Sequence, residues 1–157
     1  MTTVEKFARI TPFLWFDNNA EEAVEFYLSI FKNSRRLDVM HAPADNPSTS
    51  RGTVLVVSFE LDGQQFTAIN GGPNHPFTDA VSFVVRCESQ EEIDYYWSRL
   101  THSGAEVACG WLKDKFGLSW QIIPADIAQL LSHPNAFQAM MQMKKLDIAA
   151  LESAVQS

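Results

Sequence analysis

Cysteine is nearly absent: Cys87 and Cys109 are the only two in 157 residues, and neither sits in a Cys-x-x-Cys motif. A zinc knuckle or a thioredoxin-type redox centre is therefore unsupported, and a lone pair of this kind in a cytosolic chain is normally reduced. Positive charge is scarce too. Lys and Arg total 12 against 19 Asp and Glu, a net charge of −7, and no basic run exceeds the pairs Arg35-Arg36 and Lys144-Lys145. A nucleic-acid backbone or an anionic membrane surface needs a clustered positive face, so neither is an expected partner. No apolar run approaches the ~18 residues of a membrane-spanning helix. The start, Met1-Thr2-Thr3-Val4-Glu5-Lys6, lacks the charged-then-apolar pattern of a signal peptide, and a cytoplasmic location is expected. The seven glycines include no Gly-x-Gly-x-x-Gly and no Gly-Lys-Ser/Thr, and Gly-x-Ser-x-Gly and His-Glu-x-x-His are missing as well. A Rossmann-type nucleotide site and the usual S-adenosylmethionine loop are thus unsupported.

What the chain does have is core material. It is 46% hydrophobic, with 11 Phe and 4 Trp, enough to offset the ordering entropy of a single domain of this length. Residues 7–16 read as a first strand with an awkward proline, Pro12. Asn18 and Asn19, each followed three residues later by Glu, offer N-caps to a helix whose buried stripe is Ala20, Ala23, Val24, Tyr27, Ile30 and Phe31. A short strand over Arg36–His41, a turn-rich loop over 42–52, and a hairpin of Val54–Leu61 and Gln65–Asn70 around Asp62-Gly63 follow.

The pattern then restarts. Ala80–Cys87 reads as a strand, and Ser89 with Glu92 forms a capping box. Ile93, Tyr96, Trp97 and Leu100 give a helix face that Gly104 stops. Glu106–Trp111 and Leu118–Ile123 read as further strands. Glu21-Glu22 and Phe26-Tyr27 recur at one offset as Glu91-Glu92 and Tyr96-Trp97, a weak internal repeat whose second copy reads as shorter by about one strand. Residues 125–157 belong to neither copy. They read as a helical tail: a piece over Asp126–Leu131, one carrying Phe137, Met140, Met141 and Lys144, and one capped by Asp147. Its apolar residues must pack on its own sheet or on a partner chain.

Several residues carry possible chemistry. His41 at a strand end and His75 in a Gly-Gly-Pro loop read either as surface histidines or as imidazoles orienting a ligand. His102 fits a helix C-terminus and His133 precedes a proline. Asn70-Gly71-Gly72-Pro73 is either a plain turn or a bare backbone that a ligand approaches beside the Asn70 amide. In a strand over 118–123, Ser119, Gln121 and Ile123 share one face, and a Gln among apolar neighbours satisfies a core hydrogen bond or addresses a pocket. Phe13, Trp15, Trp111, Phe116 and Trp120 fit a pocket or an ordinary core alike.

The run Gly110-Trp111-Leu-Lys-Asp-Lys-Phe-Gly-Leu-Ser-Trp-Gln-Ile-Ile-Pro124 resembles the C-terminal signature of the PhnB-like proteins of the vicinal-oxygen-chelate superfamily, relatives of glyoxalase, bleomycin-resistance proteins and extradiol dioxygenases. Ile10–Phe16 with Ala20–Tyr27, Phe66–Pro73 and Lys144–Leu151 agree, so the resemblance spans almost the whole chain. It implies an α+β fold of two βαβββ modules, the second one shortened, forming a cupped mixed sheet with a C-terminal helical tail. The expected bounds are one domain over 1–124 (module one about 7–72, module two about 79–124) and a tail over 125–157 associated with a homodimer partner.

The subfamily often carries the name of a demethylubiquinone methyltransferase domain, yet this sequence has no glycine-rich loop for that cosubstrate. Metal enzymes of the superfamily place ligands at four strand positions, which fall here at Thr11 or Phe13, at Ala68 or Asn70, near Ser82 and at Gln121. None is an imidazole, thiolate or carboxylate, so no conventional metal centre and no cofactor are expected. The leading expectation is a homodimer binding a small apolar or aromatic molecule, with pocket candidates Phe13, Trp15, His41, Asn70, His75, Ser82, Trp111 and Gln121. The alternatives are an enzyme of the superfamily, metal-free or using His41, His75, Cys109 or Asp114, and a dimeric protein-interaction module.

Overall fold

The computed structural model describes residues 6–156 and divides into two compact units, Met1–Pro76 and Phe77–Ser157. In the first unit the order is β1 (Phe13–Phe16), α1 (Ala20–Ile30), β2 (Ser34–His41), β3 (Val54–Leu61) and β4 (Gln64–Asn70). The sheet runs β1-β4-β3-β2, with β1 parallel to β4 and the other pairs antiparallel. Only the last part of the expected 7–16 strand enters the ladder. Pro12 has no N–H to give, although its carbonyl still accepts from Thr67 N at 3.0 Å, and regular pairing starts at Phe13.

Strand alternation then sorts the side chains. Leu14, Phe16, Val57, Phe59, Leu61, Phe66 and Ala68 are buried, as are Ala20, Ala23, Val24, Tyr27 and Ile30 of the helix. Tyr27 stacks on Phe59, and Phe59 on Phe66, with centroids 6.2 and 5.3 Å apart. The β3–β4 hairpin turns on Asp62 and Gly63, both with positive φ, the backbone that Asp-Gly encodes. The long edge strand β2 carries Arg35, Arg36 and Asp38 and two register shifts, features that discourage edge-to-edge pairing.

The helix start differs from its local code. Asn19 occupies the N-cap position but makes no side-chain cap hydrogen bond. The Ala20 amide is satisfied instead by Asn70 Oδ1 at 2.9 Å, from the far end of β4.

The second unit repeats the plan with β5 (Ser82–Cys87), α2 (Gln90–Thr101), β6 (Ala105–Glu106), β7 (Trp111–Lys113) and β8 (Ser119–Pro124). Its sheet runs β5-β8-β7-β6, with β5 parallel to β8. The strand expected over Glu106–Trp111 is two short strands with a turn between them, because Cys109 and Gly110 both adopt positive φ (59° and 86°). The strand count is therefore kept. The shortening lies in length: β6 and β7 have 2 and 3 residues where β2 and β3 have 8 each. Helix α2 starts as expected, with Ser89 Oγ accepting from Glu92 N at 3.2 Å, while Glu92 Oε2 accepts from Glu88 N.

The tail forms α3 (Ile127–Leu131), α4 (Pro134–Met140) and α5 (Ile148–Val155), and Lys144 lies beyond α4 rather than within it. His133 caps α4, its Nδ1 accepting from Asn135 N, and Asp147 Oδ1 caps α5 through Ala150 N at 3.0 Å. The tail packs within its own unit. Cys109 N and Gly110 N donate to the carbonyls of Met143 and Lys144, each at 2.8 Å. Gln90 accepts from Ile148 N and donates to the Leu146 carbonyl, and Leu146 and Leu151 are fully buried. Lys145 Nζ lies 2.7 Å from Asp94, and this ammonium together with the Gln90 amide holds the Asp94 carboxyl below its usual range.

Candidate functional site

In the first unit Phe13 and Trp15 lie on the sheet face opposite α1 and are 57% and 37% exposed. Register places Thr67 and Ser58 beside Phe13, and Ile69 and Val56 beside Trp15, on that same face. Trp15 is fixed there: its Nε1 donates to the Gly72 carbonyl at 2.9 Å, and its ring meets the His75 imidazole edge-on at 4.4 Å. The close approach that the Gly-Gly pair permits is made by this indole. A Cβ at Gly71 would stand 2.3 Å from the Trp15 ring.

Phe13, Trp15 and His75 thus belong to one aromatic group. His41, opposite Val54 at the end of β2, is exposed. Asn70 turns to the other side, toward α1. It is 5% exposed, accepting from Ala20 N and donating from Nδ2 to the Val54 carbonyl at 3.1 Å.

In the second unit Ser82, Gln121 and Trp111 come together on the face opposite α2. Gln121 Nε2 donates to Ser82 Oγ at 2.9 Å, and Val84 and Trp111 flank Gln121 in register. Ser119, opposite Ser82, went without a role in the sequence reading. Its Oγ is buried and has no hydrogen-bond partner in the structure, which costs free energy in a dry environment. The one signal for it was the two-residue spacing to Gln121.

Asp114 accounts for the most distinctive sequence run. Its carboxylate, 2% exposed, accepts from Phe116 N at 2.9 Å, Leu118 N at 3.0 Å and Trp120 Nε1 at 3.0 Å. Those bonds, with Gly117 at φ +87°, build the tight turn from β7 to β8 and so aim Ser119 and Gln121.

Burial, reinforced by Glu92 and Glu88, pushes the Cys87 thiol up from its ordinary 9.0 to about 12. A raised folded-state value stabilises fully below the unfolded value and is lost as pH climbs through the folded one. Stability is therefore expected to fall between pH 9 and 12, by up to ~1.4 kcal/mol per pH unit from this group. Urea denaturation of Cys87→Ala across that window should give a flatter alkaline limb than the parent, and parallel limbs would refute the assignment.

The superfamily's metal places can now be tested. On the faces away from the helices, β1 offers Phe13 and Trp15, β4 offers Thr67 and Ile69, β5 offers Ser82 and Val84, and β8 offers Ser119 and Gln121. Ala68 and Asn70 face α1 instead, so the second place shifts by one residue. None of these side chains is an imidazole, thiolate or carboxylate, and among the described residues no three His, Cys, Asp or Glu converge. The donor set does not fit a divalent metal. Nor does the Gly-Gly pair form an open cradle for S-adenosylmethionine, since the indole fills it. Among the described residues no helix is long and apolar enough to cross a membrane.

A family model described as 3-demethylubiquinone-9 3-methyltransferase matches residues 8–123, which is both modules without the tail. No curated protein matches the chain. Among solved structures, a PhnB protein from Bacillus cereus, itself described as a 3-demethylubiquinone-9 3-methyltransferase, is 38% identical with a TM-score of 0.66, covering 74% of this chain and 99% of that one. Protein PA1353 from Pseudomonas aeruginosa is 17% identical with a TM-score of 0.60, covering 75% and 98%. The fosfomycin resistance protein FosX from Mesorhizobium loti is 11% identical with a TM-score of 0.55, covering 83% and 99%. The last two similarities show the fold alone. Matching architecture, matching signature and these relatives together establish that the chain belongs to the PhnB-like family named for 3-demethylubiquinone-9 3-methyltransferase, within the vicinal-oxygen-chelate superfamily.

Proposed function

We propose that the chain is a homodimeric, cytoplasmic small-molecule binding protein that works without a conventional metal centre and takes an apolar or aromatic ligand. The observation that carries this reading is the Gln121–Ser82 pair set beside Val84 and Trp111 on the sheet face that α2 leaves uncovered. A few fixed polar groups amid apolar and aromatic surface are what orient such a ligand. The rigidly held Trp15 with Phe13 supports the same reading from the first unit, as a stacking surface. Phe137 and Met141, 48% and 51% exposed, give the tail an apolar patch for a second copy. Methyl transfer is not part of the reading, because nothing in the chain is built to hold the methyl donor.

The test is tryptophan-fluorescence titration with a panel of planar aromatic compounds, on protein whose mass is checked by sedimentation. A saturable ligand is expected, with Gln121→Ala weakening it about fivefold or more while the melting temperature stays within about 2 °C of the parent. A melting temperature lower by many degrees would make Gln121 a structural residue instead. A panel with no binder, or a monomer in sedimentation, would sink the corresponding part of the proposal.

A further inference from the structure

A separate cavity of about 480 Å³ lies in the first unit, between the start of α1 and the loop that joins β2 to β3. It is not on the aromatic face, because its floor is made by Val54 and by Asn70, whose side chain turns toward α1. The volume is in the range of small-molecule sites.

Its wall is preformed. Asn46 Oδ1 accepts from Ser48 N, Ser48 Oγ and Thr49 N, and Asn46 Nδ2 donates to Thr49 Oγ1 at 2.7 Å. Asp45 Oδ1 accepts from Arg51 N at 2.8 Å, which leaves Oδ2 for another partner. On the opposite wall the side chains of Asn18 and Glu21 have no hydrogen bond or ion pair with any described residue. At the floor Asn70 is almost wholly buried, yet its amide uses one donor and one acceptor of the four places it has. The lining holds two carboxylates, several hydroxyls and amides, and no Lys or Arg.

We infer that this cavity binds a small hydroxylated amine, its ammonium between Glu21 and Asp45 and its hydroxyls on the amide and hydroxyl groups around them. A cation is favoured because both charged groups are acidic and a charge-assisted hydrogen bond outweighs a neutral one. An extended molecule is favoured over a bare metal ion. The volume far exceeds that of an ion, and no three ligating side chains converge there among the described residues. This site is independent of the aromatic-ligand reading, and either can fail alone.

Glucosamine is the probe, titrated into 15N-labelled full-length protein and followed by amide shifts. Saturable shifts confined to residues 18–21, 45–54 and 70 are expected, with glucose binding about tenfold more weakly or worse. Glu21→Gln and Asp45→Asn should each weaken glucosamine about tenfold. The asparagine keeps the oxygen that accepts from Arg51 N, so the loop brace survives. Shifts that never saturate, glucose as tight as glucosamine, or variants that bind like the parent would each overturn the inference. So would calcium chloride reproducing the shifts and displacing the amine, which would assign the cavity to an ion.

Discussion

Asp114→Ala is expected to lower the stability of the folded chain by at least about 3 kcal/mol, because it strands two backbone amides and an indole N–H that share one buried carboxylate. At ~2–4 °C per kcal/mol for a chain of this size, the melting temperature should fall by roughly 6–12 °C. Asp114→Asn keeps one oxygen for the two amides but sets an NH₂ group against the Trp120 N–H, so it should fall between the parent and the alanine variant. Thermal unfolding followed by circular dichroism decides this. A fall of less than about 2 °C for the alanine variant would mean that the turn from β7 to β8 holds itself. The family signature would then need an explanation outside the fold.

Asn70→Ala should cost about 2–3 kcal/mol, leaving the Ala20 amide and the Val54 carbonyl unpaired at a buried point. The effect should be local as well as global. Hydrogen exchange of the first-turn amides of α1 should accelerate more than that of the β3–β4 ladder. Asn70→Asp restores the acceptor at a helix N-terminus, where negative charge is favourable, and should recover part of the loss. Equal exchange rates in parent and alanine variant would show that α1 starts without this remote cap.

These two residues also mark what the sequence did and did not make legible. Both modules, the β3–β4 hairpin, the Ser89 capping box and the Asp147 cap were readable because each rests on neighbours in the chain. The start of α1 was misread for the opposite reason. Asn18 and Asn19 look like local caps, while the working cap comes from Asn70, and pattern within a window cannot reveal a partner that distant. The break inside Glu106–Trp111 was hidden because Cys109, not a glycine, opens the left-handed turn.

Of the site candidates, Trp15 with His75 and Ser82 with Gln121 are brought into contact. Asn70 faces the helix, and His41 stands exposed at a strand end. Alternation along a strand is legible, but which of two faces a helix covers depends on register, and a slip of one residue exchanges them. Ser119 carries no sequence signal of its own, since an orphaned hydroxyl is visible only once its surroundings are placed.

The attachment of residues 143–148 to Cys109, Gly110 and Gln90 has a consequence for synthesis. Module one finds all its ladder partners before residue 71, so it can order itself while later residues are still being made. Module two has its last strand by Pro124, yet the amides of Cys109 and Gly110 and the Gln90 side chain wait for carbonyls and an amide translated afterwards. A ribosome stalled between residues 125 and 142 would therefore hold one finished module and one whose turn is still open. The tail acts as a completion signal written last and read back onto a strand made earlier.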